Sequence, residues 1–353
     1  MFWYKYKTLT IFSAFALFLV GLYLFATFMI FLYTPASFNK QDLIVDVPSG
    51  SSFRAVTKLL RDNGLIKDET KFIIYGKLRH AGPRIHAGEL LFKKNMTPLQ
   101  VLDTLLHAKP VTYTFVVPEG YNMYQIASLL ESKAIIKKAA DLLAAAKDKI
   151  LLIELGIKGD NAEGYLFPDT YSVQKVRDVR DLIRIMHKRY GEIFTKELVD
   201  KAHDLELTEQ ETVTLASIVE KETGAPEERK LIASVFHNRL KKGMQLQSDP
   251  TTIYGMWDQY TGNLSKDDLM RYTPYNTYKI FGLPPGPICN PGKDAIMAVL
   301  YPEKTNYLYF VSKNDGTHIF SENYSEHQKA VGRFQKHTDE RVGKSWRDLK
   351  KKK

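Results

Sequence analysis

Apolar and polar positions divide the chain at its start. From Thr8 to Asn39 no residue is charged, and Leu9–Tyr33 is almost wholly apolar. About 20 apolar residues carry a helix across the hydrocarbon core of a bilayer, so this run can span with some tilt. A cleaved signal peptide has a shorter apolar region, about 7–15 residues, followed by a small-x-small site. The TPASF flank matches such a site poorly, which favours an uncleaved anchor. Lys5 and Lys7 precede the run, whereas Lys40, Asp42 and Asp46 follow it. The cationic flank belongs in the cytoplasm, which puts the rest of the chain outside it. Trp3, Tyr4 and Tyr6 at one end and Tyr33 at the other suit interfacial aromatic belts.

Beyond the anchor the pattern repeats. VDVPSGSSFRAVTKLLRDNGLI (Val45–Ile66) aligns without gaps on FVVPEGYNMYQIASLLESKAII (Phe115–Ile136), 70 residues further on. Val47, Pro48 and Gly50 match Val117, Pro118 and Gly120, while Val56, Leu59 and Leu60 match Ile126, Leu129 and Leu130. Each copy predicts a strand, a Pro-x-Gly turn and an amphipathic helix. Followed by IHAGELLF (Ile85–Phe92), the pattern resembles LysM-type modules, which bind glycans containing N-acetylglucosamine. A repeated packing unit without a ligand accounts for it equally well. Lys137–Ile157, rich in Ala, Lys and Leu, predicts surface helix without chemistry.

A later helix has legible ends. Thr208 and Glu211 fit a capping box, and Gly224-Ala225-Pro226 closes a helix of about Glu209–Thr223. A second helix is expected from Pro226 to Gly243. The first contains LASIVEKETG (Leu215–Gly224), with two glutamates in a run of apolar and small residues. At ~100° per residue, Glu222 falls between Ile218 and Leu215 in the apolar arc, and Glu220 lies about 160° away at its margin. Thr214, Ser217 and Lys221 form the expected polar side. A carboxyl directed into apolar packing has its charged form disfavoured, so its pKa rises, as a general acid near neutral pH requires. The alternative is a buried structural Glu tied to an arginine such as Arg239.

Met244–Gly255 (MQLQSDPTTIYG) alternates apolar and polar positions and then starts a helix, with Asp249 as the expected N-cap before Pro250. YTPYNTY (Tyr272–Tyr278) and GLPPGPICNPG (Gly282–Gly292) are polar-aromatic loops punctuated by Pro and Gly. Tyrosine rings stack on the apolar faces of pyranoses and amides bond hydroxyls, so the loops suit sugar binding. They also suit plain rigidity.

Composition narrows the classes. An apolar share of 44% with 25% charged residues is that of a globular protein. The single cysteine, Cys289, excludes an intramolecular disulfide and a Cys-based zinc site. Nine histidines without an HExxH pattern give no reason to expect a metal, and no cofactor is expected. The net charge of +10 admits nucleic acid, anionic lipid or an acidic polymer. No helix-turn-helix, RNA-recognition or zinc-finger pattern accompanies it, so nucleic acid is not an expected partner. The terminal Lys350–Lys353 run reads as a frayed, solvated end.

EGYLFPDTY (Glu163–Tyr171), ASIVEKET (Ala216–Thr223), SVFHNRLKKGMQLQSDPTTIYG (Ser234–Gly255), PYNTY (Pro274–Tyr278) and GLPPGPI (Gly282–Ile288) occur in this order. Together they resemble the YceG-like, or MltG, endolytic murein transglycosylases over nearly the whole chain. The resemblance implies cleavage of peptidoglycan strands between N-acetylmuramic acid and N-acetylglucosamine, leaving a 1,6-anhydro end and using one carboxyl as acid and then base. In several lytic transglycosylase families serine follows the catalytic glutamate. Glu222-Thr223 is a nearer match than Glu220-Lys221, so the catalytic role goes to Glu222, with Glu220 in reserve.

Glu163, Gln247, Asp249, Tyr275, Asn276 and Tyr278 are expected to bind substrate. The implied fold class is α+β: a single transmembrane helix, a LysM-like βα module and a mixed α+β catalytic domain. The boundaries read 1–8 cytoplasmic tail, 9–33 transmembrane helix, 40–110 LysM-like domain, 111–340 catalytic domain and 341–353 basic tail. Glycan strands, the inner membrane and peptidoglycan synthases are the partner classes. Two alternatives stay open: a non-catalytic wall-binding assembly factor, and a hydrolase with Asp249 or Glu163 as second carboxylate.

Overall fold

A computed structural model describes residues 2–36, 41–222 and 224–335, with side chains from Thr10 onward. Lys5, Lys7, Lys40, Thr223 and the expected basic tail 341–353 lie outside the described residues and side chains. The described chain is mostly helical, with three small two-stranded sheets, so the α+β expectation holds in a coarse sense only. It forms two compact units, 1–113 with 172–175, and 114–171 with 176–353.

The first unit begins with the helix Phe2–Tyr33, whose Thr10–Tyr33 portion is apolar and long enough to cross a membrane. Strands Leu43–Val47 and Gly88–Phe92 pair antiparallel, Leu43 opposite Phe92 and Val47 opposite Gly88. Helices Phe53–Asp62, Glu69–Leu78 and Pro98–His107 complete the unit. Alternate strand residues Val45, Val47, Leu90 and Phe92 point inward and meet Leu60, Phe72, Leu102 and Leu105 in one core. Leu32, near the end of the long helix, belongs to that core, with Phe28, Met29 and Phe31 packed against it.

The repeat survives folding to the level of single hydrogen bonds. Ser51 N–H donates to Pro48 O in the first copy and Tyr121 N–H to Pro118 O in the second. Gly50 and Gly120 both carry the positive φ, +75° and +73°, that this turn requires. Ser52 and Asn122 cap the following helices, Phe53–Asp62 and Met123–Ser132. Both helices end in the same way: Leu65 N–H reaches Leu60 O, and Ile135 N–H reaches Leu130 O. The first copy has Gly64 in the left-handed region at this end, whereas the second has Ala134, at φ 55°. Lys137–Ile157 forms two short helices, Ala139–Ala145 and Lys149–Glu154, because Asp148 caps a new start.

The second unit is built around the helix Glu209–Glu222. Thr208 Oγ1 accepts from Glu211 N–H at 3.2 Å and the Glu211 carboxylate accepts from Thr208 N–H at 2.8 Å, which completes the capping box. Every residue from Thr212 to Val219 is buried, Thr214 and Ser217 included. Of the expected polar side, Thr214 and Ser217 are therefore interior and Lys221 alone is exposed. Helices Lys196–Asp204, Arg229–Lys241, Asp249–Gly255 and Lys293–Leu300 all pack on this helix, and small Ala216 and Ser217 allow close approach. Ser217 Oγ is satisfied internally: it donates to Thr214 O and accepts from Ile288 N–H. Burying Val213, Leu215, Ile218 and Val219 contributes about 1.5–3 kcal/mol each.

The next helix departs from expectation at its start. Pro226–Glu228 form a single 3₁₀ turn before the α-helix Arg229–Lys241, and Gly243 follows at φ +64°. Strands Tyr309–Ser312 and His318–Ser321 pair antiparallel under the helix Tyr324–Gln335.

Candidate active site

The two glutamates of LASIVEKETG leave the central helix at its C-terminal end in different directions, into different chemistry. Glu220, with only 7% of its side chain exposed, faces Arg229 at 3.5 Å and accepts from Gly292 N–H at 3.1 Å. Burial pushes its pKa up, while Arg229 and the Gly292 N–H oppose the rise and Glu119 adds to it. Arg229 is shared with Glu119 and Asp294. Glu220, not Glu222, is thus the carboxylate tied to an arginine of the following helix.

Among the described residues Glu222 has no such ion pair. Its Oε1 accepts a hydrogen bond from Ser248 Oγ. Burial raises its pKa to about 7, the Ser248 hydroxyl pulls it down, nearby Asp249 pushes it up and Arg239 lowers it slightly. Arg239 is spent on backbone: Nε donates to Leu308 O and Nη1 to Leu246 O, both at 2.7 Å. It holds the Leu246–Ser248 segment against the helix without neutralising Glu222.

Ser248 is itself locked. Its N–H donates to Thr277 Oγ1 at 2.9 Å and its carbonyl accepts from Thr251 Oγ1 at 2.6 Å. Thr251 and Thr277 share a 2.8 Å hydroxyl contact, and all three residues are at most 1% exposed. Gln247, exposed and at φ 52°, turns the chain into this lock and donates its N–H to Thr277 O. Asp249 was the expected helix cap. The cap position belongs instead to Ser248, whose hydroxyl is turned to Glu222, and Asp249 opens the helix Asp249–Gly255. The exposed Asp249 carboxylate accepts from Tyr278 O–H at 2.7 Å.

The remaining predicted positions separate into surface and interior. Tyr275 is partly exposed, its ring 4.8 Å from that of Tyr254. Asn276 is fully buried. Its Oδ1 accepts from Thr252 Oγ1 and Tyr278 N–H, and its Nδ2 donates to Leu269 O and Arg271 O. With its amide fully engaged, it fastens the loop from inside and offers no atom to a sugar hydroxyl. Glu163 is 1% exposed and accepts from Met123 N–H, Tyr254 O–H and Asn290 Nδ2. Burial raises its pKa to about 8 against those donors. It ties three segments together from within the core.

Glu222, Ser248, Asp249, Tyr278 and Arg239 form one constellation, with Gln247 on its rim. Sequence reasoning passed over Ser248, Thr251 and Thr277. The signal was present as a hydroxyl directly before Asp-Pro, but its meaning depended on where the hydroxyl turned. Among the described residues no group of His, Cys, Asp and Glu is arranged to hold a metal ion. One carboxyl held near neutrality by burial, beside a second exposed carboxylate, can give and take a proton in general acid–base chemistry.

Comparison with known proteins places the chain as a whole among known relatives. The model of the YceG-like family matches residues 45–333. The endolytic murein transglycosylase of Bacillus subtilis (strain 168) is 33% identical over 315 residues, which cover 84% of this chain and 86% of that protein. The endolytic murein transglycosylase of Streptococcus pneumoniae serotype 2 is 33% identical over 328 residues, 83% of this chain but 58% of that longer protein. The crystal structure of a YceG-like protein from Listeria monocytogenes aligns with a TM-score of 0.57 at 32% identity, covering 82% of this chain and 99% of that one.

Proposed function

We propose, on the premise that this chain belongs to the YceG-like family, that it is an endolytic murein transglycosylase held to the inner membrane by its N-terminal helix. The observation that carries the mechanism is Glu222: a half-buried residue whose carboxyl, raised to about 7, is held by the Ser248 hydroxyl and, among the described residues, by no ion pair. At neutral pH about half of such groups hold a proton. Protonated Glu222 donates to the glycosidic oxygen between N-acetylmuramic acid and N-acetylglucosamine as the C1–O bond breaks. The resulting carboxylate takes the proton of the muramyl C6 hydroxyl as that oxygen closes onto C1. The products are a 1,6-anhydromuramyl end and a free 4-hydroxyl on the leaving sugar, and Glu222 is protonated again. No external co-reactant is needed.

Gln247, Asp249 and Tyr278 lie around Glu222 and serve, with the partly exposed Tyr275, as the substrate-contacting set. Glu163 and Asn276 support it from within. Glu220 keeps the end of the helix in place. Residues 40–110 act as a LysM-like glycan-binding domain, an assignment supported by the strand, turn, helix and returning strand. Residues 111–340 form the catalytic domain. Leu32 lies within the same core as Phe72 and Leu102, which supports an anchor retained in the mature protein over a removed signal. The chain then has its N-terminus in the cytoplasm and its catalytic domain outside, within reach of glycan strands and the synthases that make them.

A second reading is favoured by Asp249, whose charge acts on Glu222. With Asp249 as base, a water could replace the C6 hydroxyl, because ordinary glycosidases work with two carboxylates. Mass spectrometry of digested strands separates the readings. Anhydromuramyl ends are expected, lost in Glu222→Gln by about 10²–10⁴-fold. Reducing muramic acid ends would establish hydrolysis. Strand binding without any cleavage would leave a wall-binding factor.

A further inference from the structure

The geometry points to a phospholipid-contacting face on the first unit: the helix Glu69–Leu78, together with the groove between it and the end of the long N-terminal helix, sits in the outer headgroup layer. This rests on the reading of that N-terminal helix as a membrane anchor. From Thr8, just after Lys7, to Thr27 there are 20 residues. At ~1.5 Å per residue they cover about 30 Å, the thickness of a bilayer's hydrocarbon core. The carbonyl of Thr27, where that length ends, accepts from Lys71 Nζ at 3.4 Å. The same ammonium lies 6.0 Å from the centre of the Phe31 ring. Lys71 therefore stands at the depth where acyl chains give way to headgroups.

The helix that carries Lys71 is built for such a boundary. Phe72, Tyr75 and Gly76 turn into the core. The opposite stripe, at helical spacing, carries Thr70, Ile74, Lys77 and Leu78, preceded by Lys67. Ile74 and Leu78, one turn apart, are 46% and 67% exposed. Bare large apolar side chains flanked by lysines characterise helices that lie in a membrane interface. The carboxylates nearby are engaged: Asp68 lies 3.9 Å from Lys71, and Glu69 pairs with Arg61. Beside the helix a groove of about 330 Å³ has Ile30, Phe31, Pro35 and Pro98 in its walls, with Lys67, Lys71 and the Lys71-paired Asp68 on its lining. Apolar walls with two ammonium groups suit the glycerol and upper acyl region of a phospholipid whose phosphate meets the lysines.

The test uses the full chain in nanodiscs of phosphatidylcholine, with and without phosphatidylglycerol. Nitroxides are placed singly at Ile74→Cys, Leu78→Cys and Phe18→Cys, with the buried Cys289 replaced by Ala. Depth is read from collisions with oxygen and with a water-soluble nickel chelate. Labels at 74 and 78 are expected at headgroup depth and the label at 18 in the hydrocarbon. Lys67→Glu with Lys71→Glu should move the label at 74 outward in the discs containing phosphatidylglycerol. Water-like collisions at 74 and 78 with the label at 18 deep in lipid would overturn the lipid-facing assignment and leave the anchor standing. Water-like collisions at 18 as well would remove the anchor, and this inference with it. An unmoved label at 74 in the charge-reversed variant would refute the role of the lysines.

Discussion

Replacing Ser248 by Ala separates the titration of Glu222 from its placement. In the folded protein the Ser248 hydroxyl donates to Glu222 Oε1 and so favours the charged carboxylate. Hydrogen bonds to charged groups are worth about 1.5–3 kcal/mol. At ~1.36 kcal/mol per pKa unit, their loss raises the Glu222 pKa by about 1–2 units, less where water enters the vacated space. The working form of a general acid is protonated, so activity is present below this pKa and falls as pH rises through it. Wild-type kcat/KM for release of anhydromuramyl fragments should therefore decline on an alkaline limb near pH 7. In Ser248→Ala the limb should move to higher pH, by up to about 1–2 units. The plateau below it should fall by about tenfold to a hundredfold, because the carboxyl is no longer held in place. A pH series on purified glycan strands measures both quantities. A limb that stays at its wild-type position, or moves to lower pH, would refute the assignment of the titrating group to Glu222.

Glu220→Gln should retain kcat/KM within about tenfold while losing about 1–3 kcal/mol of stability, since Arg229 keeps Glu119 and Asp294 as weaker partners; strand assays and urea unfolding report the two effects. Ala134→Gly should stabilise the protein by about 1 kcal/mol in urea titrations, because Ala134 occupies the left-handed region that its counterpart Gly64 fills without strain. Gly164→Ala should lose about 2–5 kcal/mol in the same assay. Its backbone has φ +87°, and an added Cβ would stand 2.5 Å from Pro287 Cγ and 2.8 Å from Val213 Cγ1.

The local elements were legible because their causes are local. The apolar run of Thr10–Tyr33, the twofold strand–turn–helix repeat and the Thr208–Glu211 capping box each follow from residues within a few positions of one another. The helical phase also separated Glu220 from Glu222 correctly, since about 160° of rotation is a property of the helix itself. What surrounds each glutamate was decided by segments distant in sequence: Gly292 for Glu220 and Ser248 for Glu222. The same distance explains why Thr214 and Ser217, expected on a polar side, proved buried. A helical wheel ranks residues by polarity, but Thr214 and Ser217 can enter a core once their hydroxyls bond to backbone, and Ile288 supplies such a partner for Ser217 from 71 positions away. Glu163 and Asn276 read as surface chemistry for a parallel reason. A polar side chain belongs to the interior when other segments supply its hydrogen-bond partners, and only the folded chain brings Met123, Tyr254 and Asn290 to Glu163. From composition and order the chain determined its elements, its anchor-like helix and its family resemblance. Packing determined which carboxyl was paired with an arginine, because the burial and the partners that set a pKa are tertiary quantities.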